Sequence, residues 1–371
     1  MTESLHKTDA KIMREALREA RKGFGRTSPN PVVGAVIVKN GQVISKGYHK
    51  KAGLPHAEVE ALAKVGGKAP GCTLYVTLEP CNHQGRTPPC TEVIIKSGIS
   101  RVVVAMKDPN PDVSGGGCGF LEKNGIEVKT GVLEAECRRV NESFLKYILS
   151  KRPFVIAKTA ITLDGWTGTA TGHSKWITNE KSRLFVHRLR DRVDAVMVGV
   201  GTVLADDPSL TARLKGSRGR DPLRIVLDTH LRTPLDALIV NHSSSANTMI
   251  AVGPSVPPDV LKRYNKRGIL TLSCPTKDSR IDLPALMDIL AEKSVTSILV
   301  EGGSRVIGSM FRERLIDKYY VFEAPRILGG DDGIPMMAGA GPKKMDQSVV
   351  LKDVQVRRLG GDILVVGYPD Y

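Results

Sequence analysis

Two short stretches in the first half of the chain carry residues suited to metal and proton chemistry. His56 and Glu58 flank Ala57, and eight residues separate Cys81 from Cys90. One imidazole and two thiolates make a three-ligand set for zinc. Three protein ligands leave the fourth tetrahedral position to water, the arrangement of a catalytic rather than a structural site. Zinc lowers the pKa of such a water to about 7. Displacing an amino group from a ring carbon also needs a proton carrier, and Glu58 is the candidate. His83, inside the loop between the cysteines, is the second choice of ligand.

Those side chains need elements that aim them at one point. Residues i and i+2 do not share a helix face. His56 and Glu58 can still converge if the point lies off a helix N-terminus, and Pro55 suits a helix start there. Cys90 follows Pro88-Pro89, a second helix start. Two N-termini aimed at one site add positive potential that favours thiolates. Around them the pattern predicts helices over Asp9–Lys22, Ala57–Val65, Cys90–Ser97 and Glu134–Leu149, with a helix end at Phe120–Asn124. Strands are predicted at Val32–Lys39, Gln42–Gly47, Leu74–Leu78, Arg101–Met106 and Ile126–Lys129, the first two joined through Asn40-Gly41. A hairpin followed by alternating strands and helices is a three-layered α/β pattern.

Ser150-Lys151-Arg152-Pro153 interrupts this pattern, so the expected division is 1–149 and 150–371. The second part is long enough for its own core. Its predicted strands are Phe154–Thr159, Ala195–Gly199, Leu223–Leu227, Met249–Val252, Ile269–Leu272, Ser297–Val300, Lys318–Pro325 and Ile363–Gly367. Its predicted helices are Asn179–Asp191 after a Thr178 cap, Ile281–Glu292 and Ser304–Arg314, and Gly199–Pro208 is read as a loop. No G-x-G-x-x-G follows a strand and opens a helix, which disfavours a Rossmann site. Val300-Glu301-Gly302-Gly303-Ser304 is instead a strand, a glycine turn and a helix start, able to bring backbone N–H groups to a phosphate.

Of 371 residues, 41% are apolar and 25% charged, values of a folded soluble chain. The longest apolar runs are strand length, far below the ~18 residues of a membrane span. The polar first residues lack the apolar core of a secretory leader, so a cytoplasmic enzyme with six reduced cysteines is expected. The net charge of +15 splits into +7 for residues 1–150 and +8 for the rest. A spread positive field suits anionic ligands. With only 5% aromatic residues the chain is poorly equipped to stack nucleic-acid bases, so small phosphorylated molecules are the expected partners. A structural zinc module would want a fourth ligand and has no use for Glu58.

His-Ala-Glu followed by Pro-Cys and a second cysteine follows the zinc-deaminase signature H-x-E…P-C-x-x-C, except that eight residues replace two between the cysteines. S-P-N-P-V-V-G-A (28–35), H-A-E (56–58), V-T-L-E-P-C-N-H-Q-G-R-T-P-P-C (76–90) and D-P-N-P (108–111) resemble the deaminase half of the bifunctional riboflavin-biosynthesis deaminase–reductases, in which the longer loop is the rule. K-T-A-I-T-L-D-G (158–165), G-H-S-K-W-I-T (172–178), G-V-G-T-V-L-A-D-D-P-S-L-T-A-R (199–213) and V-E-G-G (300–303) resemble the reductase half. Trp166 stands where that family usually has a smaller or basic residue.

The resemblance implies a cytidine-deaminase-like domain joined to a dihydrofolate-reductase-like α/β domain, with zinc and NADPH as cofactors and a homo-oligomeric assembly. It implies hydrolytic deamination of a ribosylamino-diaminopyrimidinone 5′-phosphate, then reduction of the ribosyl to a ribityl group. Zinc falls to His56, Cys81 and Cys90, and proton transfer to Glu58. Deaminase substrate contacts fall to Asn30, His49 and Asp108, while His49-Lys50-Lys51 or Arg86 could hold the phosphate by charge. Cofactor contacts in the reductase fall to Ala160, Trp176, Thr202, Asp206, Thr229, Gly302, Gly303, Ser304, Arg305, Val306 and Ile307. Substrate contacts there fall to Ser174, Arg190, Leu210, Arg213 and Glu301, with Arg190 and Arg213 a phosphate clamp. Lys158 and Asp206 are the candidates for managing the proton when the ribose opens.

Overall fold

The structure, a computed structural model, describes residues 2–83, 88–110, 116–214, 216, 219–241, 244 and 246–371, with side chains from residue 7 onward. The chain divides into two compact units, Met1–Lys151 and Arg152–Tyr371.

The first unit runs α1 (Thr2–Ala20), β1 (Gly34–Lys39), β2 (Gln42–Tyr48), α2 (Ala57–Ala63), β3 (Thr73–Leu78), α3 (Cys90–Ser97), β4 (Arg101–Met106), α4 (Gly117–Lys123), β5 (Glu127–Lys129), α5 (Glu134–Val140) and α6 (Glu142–Ser150). Its sheet has the order β2-β1-β3-β4-β5, with β1 antiparallel to both neighbours and β3, β4 and β5 parallel. Two glycines show why helices cover both faces. A Cβ on Gly34 would lie 2.0 Å from the Ala16 carbonyl oxygen of α1, and one on Gly47 would lie 2.4 Å from the Ala57 carbonyl oxygen of α2. Gly47 pairs with Ala35, so these two share a face and Gly34 points to the other. Helices α1 and α2 therefore press on opposite sides, and only glycine permits that closeness. Between the layers lie Met13, Val36, Ile37, Leu62, Leu74, Val76, Ile94 and Val103.

The long helix predicted over Glu134–Leu149 is broken at Asn141. The Asn141 amide accepts the Val32 N–H at 2.9 Å and donates to the Val32 carbonyl at 3.1 Å, closing backbone groups that precede β1. Burial of those groups outweighs helix continuity at that residue.

The second unit runs β6 (Phe154–Thr162), β7 (Trp166–Gly168), α7 (Glu180–Arg190), β8 (Ala195–Gly199), α8 (Val200–Asp206), β9 (Leu223–Leu227), α9 (Leu238–Asn241), β10 (Thr248–Val252), α10 (Pro258–Asn265), β11 (Leu270–Ser273), the hairpin β12 (Thr276–Lys277) and β13 (Arg280–Ile281), α11 (Leu283–Glu292), β14 (Ser297–Val300), α12 (Ser304–Arg312), β15 (Lys318–Ala324), β16 (Ile334–Pro335), β17 (Val350–Leu359) and β18 (Asp362–Asp370). Nine strands form one sheet in the order β11-β10-β9-β8-β14-β6-β15-β18-β17. The seven from β11 to β15 are parallel, and β18 and β17 complete the edge antiparallel. Val155 and Ala157 face one core with α11 and α12, while Phe154 and Ile156 face another with α7 and α8. A parallel sheet covered on both faces explains the nearly continuous apolar runs.

Three local expectations change. Gly199–Pro208 is not a loop, because Val200–Asp206 forms α8 with Val200 and Val203 buried. The cap of α7 is Asn179, whose side chain accepts the N–H groups of Lys181 and Ser182, and not Thr178. Strand β17 was not foreseen, because its mostly exposed residues show no buried stripe. Among the described residues no helix is long and apolar enough to cross a membrane.

Candidate functional site

Two helix starts and one strand end meet in the first unit. His56 is the residue just before α2, in extended conformation, and Glu58 lies in its first turn. Cys90 opens α3 after Pro89. Cys81 follows the end of β3 by way of Glu79-Pro80. The donor atoms of His56, Cys81 and Cys90 all lie within 4.8 Å of one another. His56 Nδ1 is 3.2 Å from Cys90 Sγ and 3.5 Å from Cys81 Sγ. Ordinary zinc–nitrogen and zinc–sulfur lengths in a tetrahedron separate such atoms by ~3.6 Å, so the set has the size of a zinc site. His83 is exposed and outside this group.

The ionisation of the two thiols points the same way. Cys81 is held down to about 4, first by the hydrogen bond from the Cys90 thiol and then by His56 and the Cys90 N–H, which donates to Cys81 Sγ at 3.4 Å. Cys90 is pushed strongly up, because a second thiolate would form beside the first in a buried place. A divalent cation removes that conflict and holds both thiolates. Glu58 is 3% exposed and one carboxylate oxygen, Oε2, has no hydrogen-bond partner among the described residues. Burial pushes its carboxyl up to about 7, against the pull of His56. A carboxyl poised there can both take and give a proton near neutrality.

His49 is not the exposed loop residue that its lysine neighbours suggest. It is 2% exposed, and its ring stands edge-on to His56 with centroids 5.3 Å apart. His49 Nδ1 donates to the Pro55 carbonyl at 3.1 Å, and Nε2 accepts from the Asn30 amide at 3.2 Å. Burial lowers its pKa, so it is a neutral polar group and not a phosphate-binding charge. Lys50 is engaged with Glu60 at 2.7 Å, and Arg86 lies outside the described residues. Asp108 is half-buried, with its pKa raised by burial and by Glu79 and Cys81. Glu79 was missed in the sequence. It accepts the N–H of Asp108 at 3.1 Å and that of Cys118 at 2.9 Å, tying the cysteine loop to the end of β4 and the start of α4. Its position beside Pro80-Cys81 is the only signal it offered.

In the second unit, Glu301 directly follows the end of β14 and α7 ends on Arg190. Arg190 grips Glu301 with two bonds, 2.6 and 2.9 Å, and donates a third to the Thr211 carbonyl at 3.1 Å. The fork expected to clamp phosphate is therefore spent inside the protein. Lys158 Nζ is 3.9 Å from the same carboxylate. Burial alone would raise the Glu301 pKa, but Arg190 and then Lys158 hold it below the usual range. Burial lowers the Lys158 pKa. Arg213 is exposed and faces Arg190 and Glu301, so it is the guanidinium left for a ligand. Asp206 sits apart from this cluster, paired with Lys175 at 3.7 Å.

The glycine turn lies at the C-terminal edge of the central strands, the usual ligand crevice of an open α/β sheet. A Cβ on Gly302 would lie 2.7 Å from Val198 Cα of β8, so that position admits no side chain. The Gly303 N–H donates to the Thr202 hydroxyl at 3.2 Å. Ser304 opens α12 with a buried hydroxyl that has no partner among the described residues. An unpaired hydroxyl at a helix start suits a dinucleotide phosphate. Trp176 is 61% exposed with Arg183 stacked 4.7 Å from its ring, so it is not a core tryptophan. Ala160, Ser174 and Thr229 are half-buried, and Arg305 and Val306 reach the surface more than their neighbours. Leu210 and Ile307 are buried core residues, so only their backbone faces a ligand. Trp166 packs on the backbone of Gly333.

Comparison with known proteins agrees with this geometry. The family described as the RibD C-terminal domain matches residues 153–365, and that described as the cytidine and deoxycytidylate deaminase zinc-binding region matches residues 6–106. The riboflavin biosynthesis protein RibD of Aquifex aeolicus (strain VF5) is 44% identical over 361 residues, covering 97% of this chain and 98% of its own. The chain belongs to the RibD family.

The RibD of Actinobacillus pleuropneumoniae is 42% identical over 96% of this chain and 94% of its own. The solved structure of Acinetobacter baumannii RibD superposes with a TM-score of 0.88 at 37% identity, over 99% of this chain and 100% of that one. A Thermotoga maritima structure, described as a diaminohydroxyphosphoribosylaminopyrimidine deaminase/5-amino-6-(5-phosphoribosylamino)uracil reductase, gives 0.84 at 37% identity over 98% and 99%. The chain is accordingly an enzyme of riboflavin biosynthesis, a deaminase with a zinc-binding domain joined to an NADPH-dependent reductase.

Proposed function

We propose that residues 1–149 remove the 2-amino group of 2,5-diamino-6-ribosylamino-4(3H)-pyrimidinone 5′-phosphate as ammonia, and that residues 150–371 then reduce the ribosyl group. The product is 5-amino-6-ribitylaminouracil 5′-phosphate. The observation that carries the first step is the His56, Cys81 and Cys90 donor cluster with the unpaired Glu58 oxygen beside it. His56, Cys81 and Cys90 hold the zinc, which when bound makes a water nucleophilic at neutral pH. Glu58 accepts a proton at its free oxygen and returns it to the departing nitrogen, so water enters and ammonia leaves. Asn30 and neutral His49 orient the pyrimidine, and Asp108 binds beside them.

In the second step NADPH, when bound, would supply the hydride for C1′ of the ribose. The turn from Gly302 to Ser304, with Thr202, holds its phosphates, and Trp176 offers a flat wall to a ring. Lys158, half-buried near Glu301, holds a proton at Nζ for the ribose ring oxygen as the C1′–O bond opens. Arg213 binds the substrate phosphate, and Arg190 keeps Glu301 charged and in place. The partners are small phosphorylated pyrimidines and not nucleic acid, and the enzyme works in the cytoplasm as a homo-oligomer.

Ammonia release and NADPH absorbance, followed together with the diamino precursor, test the order. Glu58→Gln should keep its zinc, lose roughly 10²–10⁴-fold in ammonia release, and still reduce the deaminated intermediate. NADPH oxidation without ammonia release, or loss of zinc in step with activity, would refute the assignment.

A further inference from the structure

An NADPH enzyme distinguishes its cofactor from NADH at the adenosine 2′-phosphate, remote from the reacting carbon. The sheet order gives a direction for that phosphate. Lys158 on β6 and Glu301 at the end of β14 mark the reacting end. The phosphate turn, Gly302 to Ser304, lies beside β8, and β9 is the next strand outward. From β14 to β9 is two strand spacings, ~10 Å. A dinucleotide held by that turn would carry its adenosine half away from the reacting end, toward the turn that follows β9.

That turn is Asp228 to Thr233. Asp228, the acidic side chain at the end of β9, is turned inward. It is fully buried, and its Oδ2 accepts the Thr233 N–H at 2.7 Å and the Thr233 hydroxyl at 2.8 Å. Arg232 is turned outward, its side chain 60% exposed, with Nε 4.0 Å from Asp228 Oδ1. The turn is held from several sides. The Leu231 N–H donates to the Asp228 carbonyl at 3.1 Å, and the Leu231 side chain is buried with Val200 and Val203 of α8. Tyr264 donates to the Thr233 carbonyl at 2.6 Å. So fixed a turn sets where the Arg232 side chain leaves the backbone, and its guanidinium fork matches phosphate oxygens.

We propose that Arg232 reads the 2′-phosphate of NADPH and sets the preference for NADPH over NADH. This rests on the NADPH reading above and adds the residue that recognises the phosphate. Two other exposed basic side chains compete for the role, His230 on the same turn and Arg305 in the first turn of α12. Arg305 stands at the phosphate turn itself, two strands from the 2′ position.

Calorimetric titration of the full chain, without substrate, with NADPH, NADH, adenosine 2′,5′-bisphosphate and AMP tests it. Arg232→Ala should weaken NADPH and the bisphosphate by roughly 10–100-fold, the worth of one charge-assisted contact. NADH and AMP should bind as before, which also reports that the variant is folded. An equal loss for NADPH and NADH, or an NADPH preference that survives Arg232→Ala and disappears in His230→Ala or Arg305→Ala, would overturn the proposal. Wild-type protein that binds neither dinucleotide would overturn the NADPH reading and this proposal with it, whereas an NADPH preference unchanged by Arg232→Ala overturns this proposal alone.

Discussion

Arg190→Ala separates a substrate clamp from an internal support. A clamp exposed to ligand would raise KM for the phosphorylated substrate and leave stability alone. Arg190 instead makes two bonds of 2.6 and 2.9 Å to Glu301, and the two side chains are 12% and 5% exposed. Removing one member of such a pair leaves a buried charge uncompensated and costs ~3–5 kcal/mol. For a unit of this size each kcal/mol moves the melting temperature by roughly 2–4 °C, so a fall of about 6–20 °C is expected. The penalty should also depend on pH. With Arg190 present, the Glu301 pKa is depressed despite burial, so the pair contributes stability above the ordinary carboxylate range and loses it as pH falls. Without Arg190, Lys158 is left to oppose burial, so the Glu301 pKa rises from its native position, Glu301 protonates sooner and the variant's deficit shrinks as pH drops from 7 toward 5. The double variant Arg190→Met, Glu301→Leu removes both charges of the pair and leaves Lys158, 3.9 Å from Glu301 in the native protein, without that partner, so it should recover only part of the loss in thermal unfolding. A melting temperature for Arg190→Ala within a degree or two of wild type, with only KM raised, would refute the reasoning and restore the clamp.

Two further outcomes are expected. Cys90→Ser should lower zinc affinity by more than the 10–100-fold that losing a supporting residue costs, and ammonia release with it, while NADPH titration is unchanged; full zinc by metal analysis would promote His83 to ligand. Asp9 is 1% exposed and is held down to about 2, because bonds from Arg101, Lys129 and Tyr75 together outweigh burial. Its folded pKa lies below the unfolded one, so its stabilisation, on the order of 2 kcal/mol, is present above pH ~4 and fades as pH falls toward 2. Asp9→Asn should lose that increment at pH 7 and show a flatter acid limb in urea titrations at a series of pH values.

What the sequence determined by itself was mostly local. Pro55 before His56, Pro88-Pro89 before Cys90 and Asn40-Gly41 between two strands act within a few residues, so their helix starts and hairpin could be read directly. The donor atoms of His56, Cys81 and Cys90 are close together because each stands at the end of an element whose boundary is locally encoded. Tertiary structure decided what each polar group is paired with. Arg190 and Glu301 lie 111 residues apart, and nothing near either says that a buried partner consumes the guanidinium. His49 reads as a surface charge beside two lysines until packing buries it against Asn30 and Pro55. Asn141 breaks a helix that its own neighbours favour, because backbone groups at Val32 must be closed. Asp228 and Arg232 differ in role because one is turned into the core and the other out of it. Propensity and capping act over one turn of chain, whereas burial, charge pairing and desolvation are set by whichever distant segment packs alongside.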